Sequence, residues 1–278
     1  WYTIQSAVYG YFIAQILGVG RVGEAVCMAL SAIVMGVFAL VGIRAITILG
    51  YVAIPAIIFL SIATAIKATG LTGGMATIAN YLPAEKFPLT DGITIVIGTW
   101  VLSTATCIAD IMRYAKSTKQ AVLSALVGLI GGNSLLIFCG AITSIAMGES
   151  DLTAVLLTLG LVTPSLILMT TNIFTTNASN LYSTSLNLSN AFNMNRTKLI
   201  SIIIGISAVA TLVRPNEIGQ LFAFLNLLGI IVPPLAGIIL SDFYIVHRGH
   251  YGSLEDAAKV SWNIVPWFTW ALSFGIVW

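Results

Sequence analysis

The chain has 278 residues, of which 58% are hydrophobic and 8% charged, with a formal net charge of +2. A soluble domain carries roughly 25% charged residues, so a mean hydropathy of +0.99 excludes water as the main solvent. The small, scattered basic excess excludes nucleic acid as a partner.

Lipid offers no partners for backbone N–H and C=O groups, which leaves helices or a closed barrel. Apolar runs of about 20 residues without strict alternation select helices. Nine such segments follow in chain order, at 1–19, 25–43, 46–68, 91–114, 120–147, 152–181, 198–213, 217–246 and 261–278. Turn residues separate them, among them Gly148-Glu149-Ser150-Asp151 and Arg214-Pro215-Asn216-Glu217. One long polar connection covers about 70 to 90, through Pro83, Glu85, Lys86 and Pro88. Pro55, and the pair Pro233 and Pro234, are expected to interrupt the third and eighth segments. Those segments stand five apart, the interval at which an inverted five-helix repeat places corresponding elements. Cys27, Cys107 and Cys139 lie singly in apolar stretches and read as small buried side chains, not ligands. The first and last segments begin and stop inside apolar sequence, so the chain reads as an internal fragment; no signal-peptide pattern opens it.

Alternate loops differ in Lys and Arg. One set holds Arg44, Arg113, Lys116, Lys119, Arg196, Lys198, Arg248 and Lys259; the other holds Arg21, Lys67, Lys86 and Arg214. The richer set is expected in the cytoplasm, which puts the Trp1 end there and the Glu149/Asp151 turn outside. Trp262, Trp267 and Trp270 suit an aromatic belt at the inner end of the last segment, or simple packing.

Three stretches are too polar or too broken for lipid-facing helix. In the first, Trp1 and Gln5 are four apart and share a face. That pair suits a planar heterocycle, or else an interfacial Trp beside a Gln that bonds to a neighbouring helix. In the second, Gly98-Thr99-Trp100 is followed by Ser103, Thr104 and Thr106, which marks either a helix break lining a cavity or a close crossing of small residues. In the third, Thr170 to Asn180 carries three amides and five hydroxyls without a charge. Neutral oxygens suit a hard monovalent cation; the alternative is a structural hydrogen-bond seam. Asp110 with Arg113, and Asp242, lie at helix ends and read as interfacial pairs or gate contacts. His247 and His250 read as solvated. Paired catalytic groups within the segments are lacking, so the chain does not read as an enzyme.

The stretches Ala109 to Tyr114, Gly132 to Leu135, Asn172 to Asn177 and Pro233 to Phe243 resemble, in the same order, those of the nucleobase:cation symporters, the cytosine, purine and hydantoin permeases. The similarity runs from Trp1 to Trp278. It implies an all-α membrane protein of LeuT-type inverted-repeat fold, with the nine segments as helices three to eleven of about twelve. Residues 1–69 would be the remainder of the first repeat (helices 3–5) and 70–90 an extracellular connection. The second repeat (helices 6–10) would cover 91–247, and a loop with a truncated helix 11 would cover 248–278. The resemblance implies substrate contacts at Trp1, Gln5, Gly98, Thr99, Trp100, Ser103 and Asn172. It implies Na+ ligation at Asn172, Thr175 and Thr176, and gate positions at Asp110, Arg113 and Asp242. Trp1 and Trp100 would sandwich the base. Gln5 stands where hydantoin- and purine-transporting members have their amide, and cytosine-type members place theirs before the tryptophan. The implied activity is import of a nucleobase-like heterocycle by cation symport, with Na+ or H+ as coupling ion, no cofactor, and a monomer in the cell membrane. The family's broken first helix is missing from this stretch, so the chain is not expected to transport alone. The rival readings are a LeuT-type carrier of a hydroxymethylpyrimidine-like vitamin precursor or of an amino acid and, in another class, a channel or passive receptor.

Overall fold

The computed structural model describes residues 1–41, 43–83, 87–97, 108, 111–149, 152–250 and 263–277. Twelve α-helices are numbered here: α1 Tyr2–Leu17, α2 Arg21–Val41, α3 Ile43–Leu71, α4 Met75–Ala79, α5 Leu89–Ile95, α6 Thr118–Leu126, α7 Asn133–Met147, α8 Leu152–Thr158, α9 Val162–Phe192, α10 Arg196–Ala210, α11 Ile218–Ser241 and α12 Val265–Val277. No strand occurs among the described residues. Among the described residues, five stretches are long and apolar enough to cross a bilayer: Arg21–Leu40, Thr47–Leu71, Thr118–Met147, Arg196–Val213 and Gly219–Val246.

Contacts divide the chain into two units. The first is Trp1–Pro83 with Ala115–Glu217, and the second is Ala84–Tyr114 with Ile218–Trp278. This division follows packing, whereas the repeat halves expected from the family follow chain order.

In the first unit α1, α2, α9 and α10 surround a core that includes Phe12, Ala32, Met35, Leu181 and Ile200. With no hydrophobic drive between helices in lipid, small residues set how closely they approach. A Cβ on Gly10 would lie 2.3 Å from the Met28 Cα, so the α1 and α2 backbones meet there directly. Aromatic edges add to the packing, with Phe174 T-shaped to Tyr9 at 5.4 Å and to Phe38 at 5.3 Å between centroids.

Three features differ from the sequence expectation. The segment expected at 152–181 is two helices: α8 ends at Thr158, and α9 starts at Val162 and continues to Phe192. Gly160 at φ 67° supplies the left-handed turn between them. Lys67 Nζ donates to the Leu159 carbonyl at 2.7 Å, satisfying one of the free acceptors. Pro55, Pro233 and Pro234 do not interrupt their helices, which run through them. A proline removes one backbone donor and leaves the rest of the ladder intact, a loss that membrane helices tolerate. The connection at 70–90 holds the short helix α4. The interior turn Val127–Gly132 between α6 and α7 is π-helical.

In the second unit α11 packs on α5 and α12. Phe87 meets Phe222 at 5.8 Å, and Trp270 Nε1 donates to the Ile231 carbonyl at 3.0 Å. A Cβ on Gly229 would collide with Thr94, at 2.8 Å from its carbonyl oxygen. Gly229 therefore lets α11 lie against the helix that leads into the Gly98-Thr99-Trp100 stretch.

Candidate functional site

Helical periodicity sorts the polar run on α9 into two faces. Ile173, Asn177 and Leu181 are four apart and buried, and they face the core. Asn172, Thr175, Thr176, Ser179 and Asn180 recur at the three- and four-residue spacings of a single stripe, and all five are half-buried. The stripe carries five neutral side chains with oxygens and no formal charge.

Its hydroxyls are pre-oriented by the helix. Thr175 Oγ1 donates to the Thr171 carbonyl at 2.8 Å and to that of Asn172 at 2.9 Å. Thr176 Oγ1 donates to the Asn172 carbonyl at 2.9 Å, and Ser179 Oγ to that of Thr175 at 2.9 Å. Each hydroxyl hydrogen is used within the helix, so the oxygen lone pairs stay available to a cation or a donor. No hydrogen bond engages the Asn172 side-chain amide among the described residues.

Trp1 caps α1, and its carbonyl accepts from the Gln5 backbone N–H at 3.0 Å, so the two stand one turn apart. Gln5 reaches α9, where its Oε1 accepts from Asn180 Nδ2 at 3.3 Å. The structure therefore brings Gln5 to Asn180, a residue with no role assigned from sequence. Asn180 was legible in principle, because it lies eight residues past Asn172 and thus on the same stripe.

Behind the stripe, Asn177 is completely buried. Its Nδ2 contacts the Tyr2 carbonyl at 3.3 Å, Ser6 Oγ at 3.1 Å and Met35 Sδ at 3.1 Å. Ser6 Oγ also donates to the Tyr2 carbonyl at 2.8 Å, and Tyr2 Oη donates to the Ala32 carbonyl. These bonds lock α9 and α2 onto α1 just where Gln5 emerges.

Gly98, Thr99, Trp100, Ser103 and Asp110 lie outside the described residues. Arg113 is exposed and meets its neighbour Tyr114, with Nη2 donating to Tyr114 Oη at 2.8 Å. Asp242 lies in the second unit, in a π-helical turn at the end of α11, with His247 Nδ1 3.4 Å from its carboxylate. His247 is exposed, as expected of a solvated side chain, and pairs with Asp242 at the surface. Asp242 also lines a cavity of about 530 Å³ with Ser241, Thr269 and Ser273. Cys139 is buried and Cys27 half-buried, both as free thiols. No cluster of three His, Cys, Asp or Glu that could hold a metal exists among the described residues.

Long apolar helices, one of them carrying a half-buried, uncharged polar stripe, fit a multi-pass membrane protein. Residues 3–271 match the model of the family described as permeases for cytosine/purines, uracil, thiamine and allantoin, and the chain belongs to that family. The chain is 32% identical over 240 residues to the cytosine permease of Escherichia coli K12, covering 86% of this chain and 56% of that protein. The allantoin permease of Bacillus subtilis 168 is 25% identical over 224 residues, covering 72% of this chain and 44% of that protein. The chain thus spans about half the length of the curated relatives it matches. Members of the family are transporters, not enzymes.

Proposed function

We propose that the full-length protein imports a nucleobase or related planar heterocycle by cation symport, with Na+ as the coupling ion. The observation that carries this reading is the half-buried stripe Asn172, Thr175, Thr176, Ser179 and Asn180, with Gln5 at its edge. Trp1 and Trp100 stack on the two faces of the ring, each contributing about 1–3 kcal/mol by analogy with base stacking on aromatics. Gln5 and Asn172 read its hydrogen-bonding edge, and Gly98, Thr99 and Ser103 line the break beside Trp100. Na+ binds the lone pairs of Thr175 and Thr176 next to Asn172.

Ion and solute share one face of one helix, so each stabilises the conformation that the other needs, and the coupling is reciprocal. Asp110, Arg113 and Asp242 stand in this scheme as contacts at the cytoplasmic gate. The fold in which these parts act is a LeuT-type inverted repeat.

The test is uptake of radiolabelled cytosine, uracil, adenine and hydantoin by the full-length protein with Na+ replaced by K+. Loss of concentrative uptake supports Na+ symport; unchanged uptake refutes the Na+ assignment.

A further inference from the structure

Gln5 and Asn180 meet across the contact between α1 and α9, where Asn180 Nδ2 donates to Gln5 Oε1 at 3.3 Å. Both side chains are half-buried, and no other side-chain hydrogen bond engages either amide among the described residues. A carboxamide carries an acceptor at one end and two N–H donors at the other, on nearly the same shape. A glutamine alone in a cavity therefore turns about its last bond and meets a donor or an acceptor equally well. The bond from Asn180 sets one of these two orientations in the structure. With Oε1 engaged, the group left for a ligand is Nε2, a donor only.

The two residues are held in register by their neighbours. Asn177, three residues before Asn180, is buried and bound to the Tyr2 carbonyl and the Ser6 hydroxyl. Tyr2 and Ser6 flank Gln5 on α1. The lock between α1 and α9 thus lies less than one turn from the amide pair on both helices, so the pair follows from the packing of the bundle and not from chance contact of two flexible tips.

We propose that Asn180 is a positioning residue that fixes the Gln5 amide with its NH2 group outward, so that the site selects heterocycles presenting an acceptor, a ring nitrogen or carbonyl oxygen, opposite Gln5. This rests on the reading of Gln5 as a substrate contact. It adds a basis for selectivity among solutes that stacking treats alike. Uracil and cytosine, and hypoxanthine and adenine, differ by exchange of an oxo for an amino group, which swaps donor and acceptor along one edge with little change of shape. Stacking between tryptophans does not separate the members of such a pair; an amide of fixed orientation does, because the wrong edge leaves buried polar groups unpaired.

The experiment measures, on the full-length protein, inhibition of uptake by uracil, cytosine, hypoxanthine and adenine, and reads the oxo-to-amino affinity ratio within each pair. Asn180→Asp puts an acceptor-only group at position 180, so Gln5 turns its NH2 toward it and presents Oε1 to the ligand. Gln5→Glu presents an oxygen by a separate route. Both variants are expected to move the ratio in the same direction, on the order of tenfold. Gln5→Ala is expected to weaken binding of all four bases and to level the ratio. Where Asn180→Asp fails to reach the membrane, Asn180→Ala replaces it, and the ratio is expected to move part of the way in the direction set by Gln5→Glu. An unchanged ratio in Asn180→Asp, with Gln5→Ala altered, overturns the orientation of the pair, because a Gln5 that already donates to residue 180 has nothing to reverse. Unaltered binding in Gln5→Ala, or failure to bind any of the four bases, overturns the reading of the site and this inference with it.

Discussion

Asn177 is fully buried in a bundle of apolar helices, yet its Oδ1 has no hydrogen-bond partner while its Nδ2 meets three groups on α1 and α2. The net worth of this side chain lies in its donor. Asn177→Ala removes that donor and leaves the Tyr2 carbonyl with Ser6 alone, a loss of about 1–3 kcal/mol. Asn177→Asp adds a buried carboxylate with no cation near it among these contacts, and is expected to cost more. Thermal unfolding of the full-length protein in detergent should rank wild type above Ala and Ala above Asp; an Asp variant as stable as wild type would show that the site is hydrated. At this scale the sequence marked Thr170–Asn180 as unusually polar, and helical spacing alone separates Asn177, between Ile173 and Leu181, from the stripe through Asn172. What it did not disclose is the partner of each amide, because Gln5 and Asn180 are 175 positions apart and only folding brings them together.

Helix α9 has a polar stripe on one side and a packed core face on the other, which makes a prediction for the element as a whole. In a background with Cys27, Cys107 and Cys139 replaced, cysteines at Asn172 and Ser179 should react with a water-soluble maleimide, and substrate should protect them. Cysteines at Ile173 and Leu181 should stay unreactive in the folded protein, since these positions are 6% and 1% exposed. Equal reactivity on both faces would contradict the packing of α9. Thr175→Ala and Thr176→Ala should raise the Na+ concentration needed for half-maximal uptake before they alter the ranking of substrates. Element positions were legible where apolar length and turn residues coincide, as for α2, α3 and the run from Thr118 to Met147. They were less so at Gly160, where one glycine inside an apolar run turns the chain, and at the prolines, whose helices continue because the ladder around one or two missing donors holds.

At the scale of the first unit, two arginines pin α2 against α10 at opposite ends. Arg196, at the start of α10, donates to the Ala39 carbonyl at 3.3 Å and to Ser185 Oγ at 3.0 Å, and its guanidinium lies 4.5 Å from the Tyr182 ring centroid. Arg214, in the left-handed conformation at φ 59°, pairs with Glu24 near the start of α2, and Gln15 Nε2 reaches the same carboxylate at 3.3 Å. The 18-residue run Arg196–Val213 between them covers about 27 Å at helical rise, close to the roughly 30 Å hydrocarbon thickness. The spacing of the two arginines thus matches one bilayer thickness, which suits charged heads at the two interfaces. With the Lys- and Arg-rich loops around Arg113 and Arg196 expected in the cytoplasm, the Arg196 end is expected there too. Cysteines at Glu149 and Glu217 should then react with a membrane-impermeant maleimide in intact cells, and cysteines at Gln120 and Thr197 only after permeabilisation. The reverse pattern would invert the orientation while leaving the pins in place, because antiparallel helices clamped at both ends are the same structure from either side, and only the loop charges tell the faces apart.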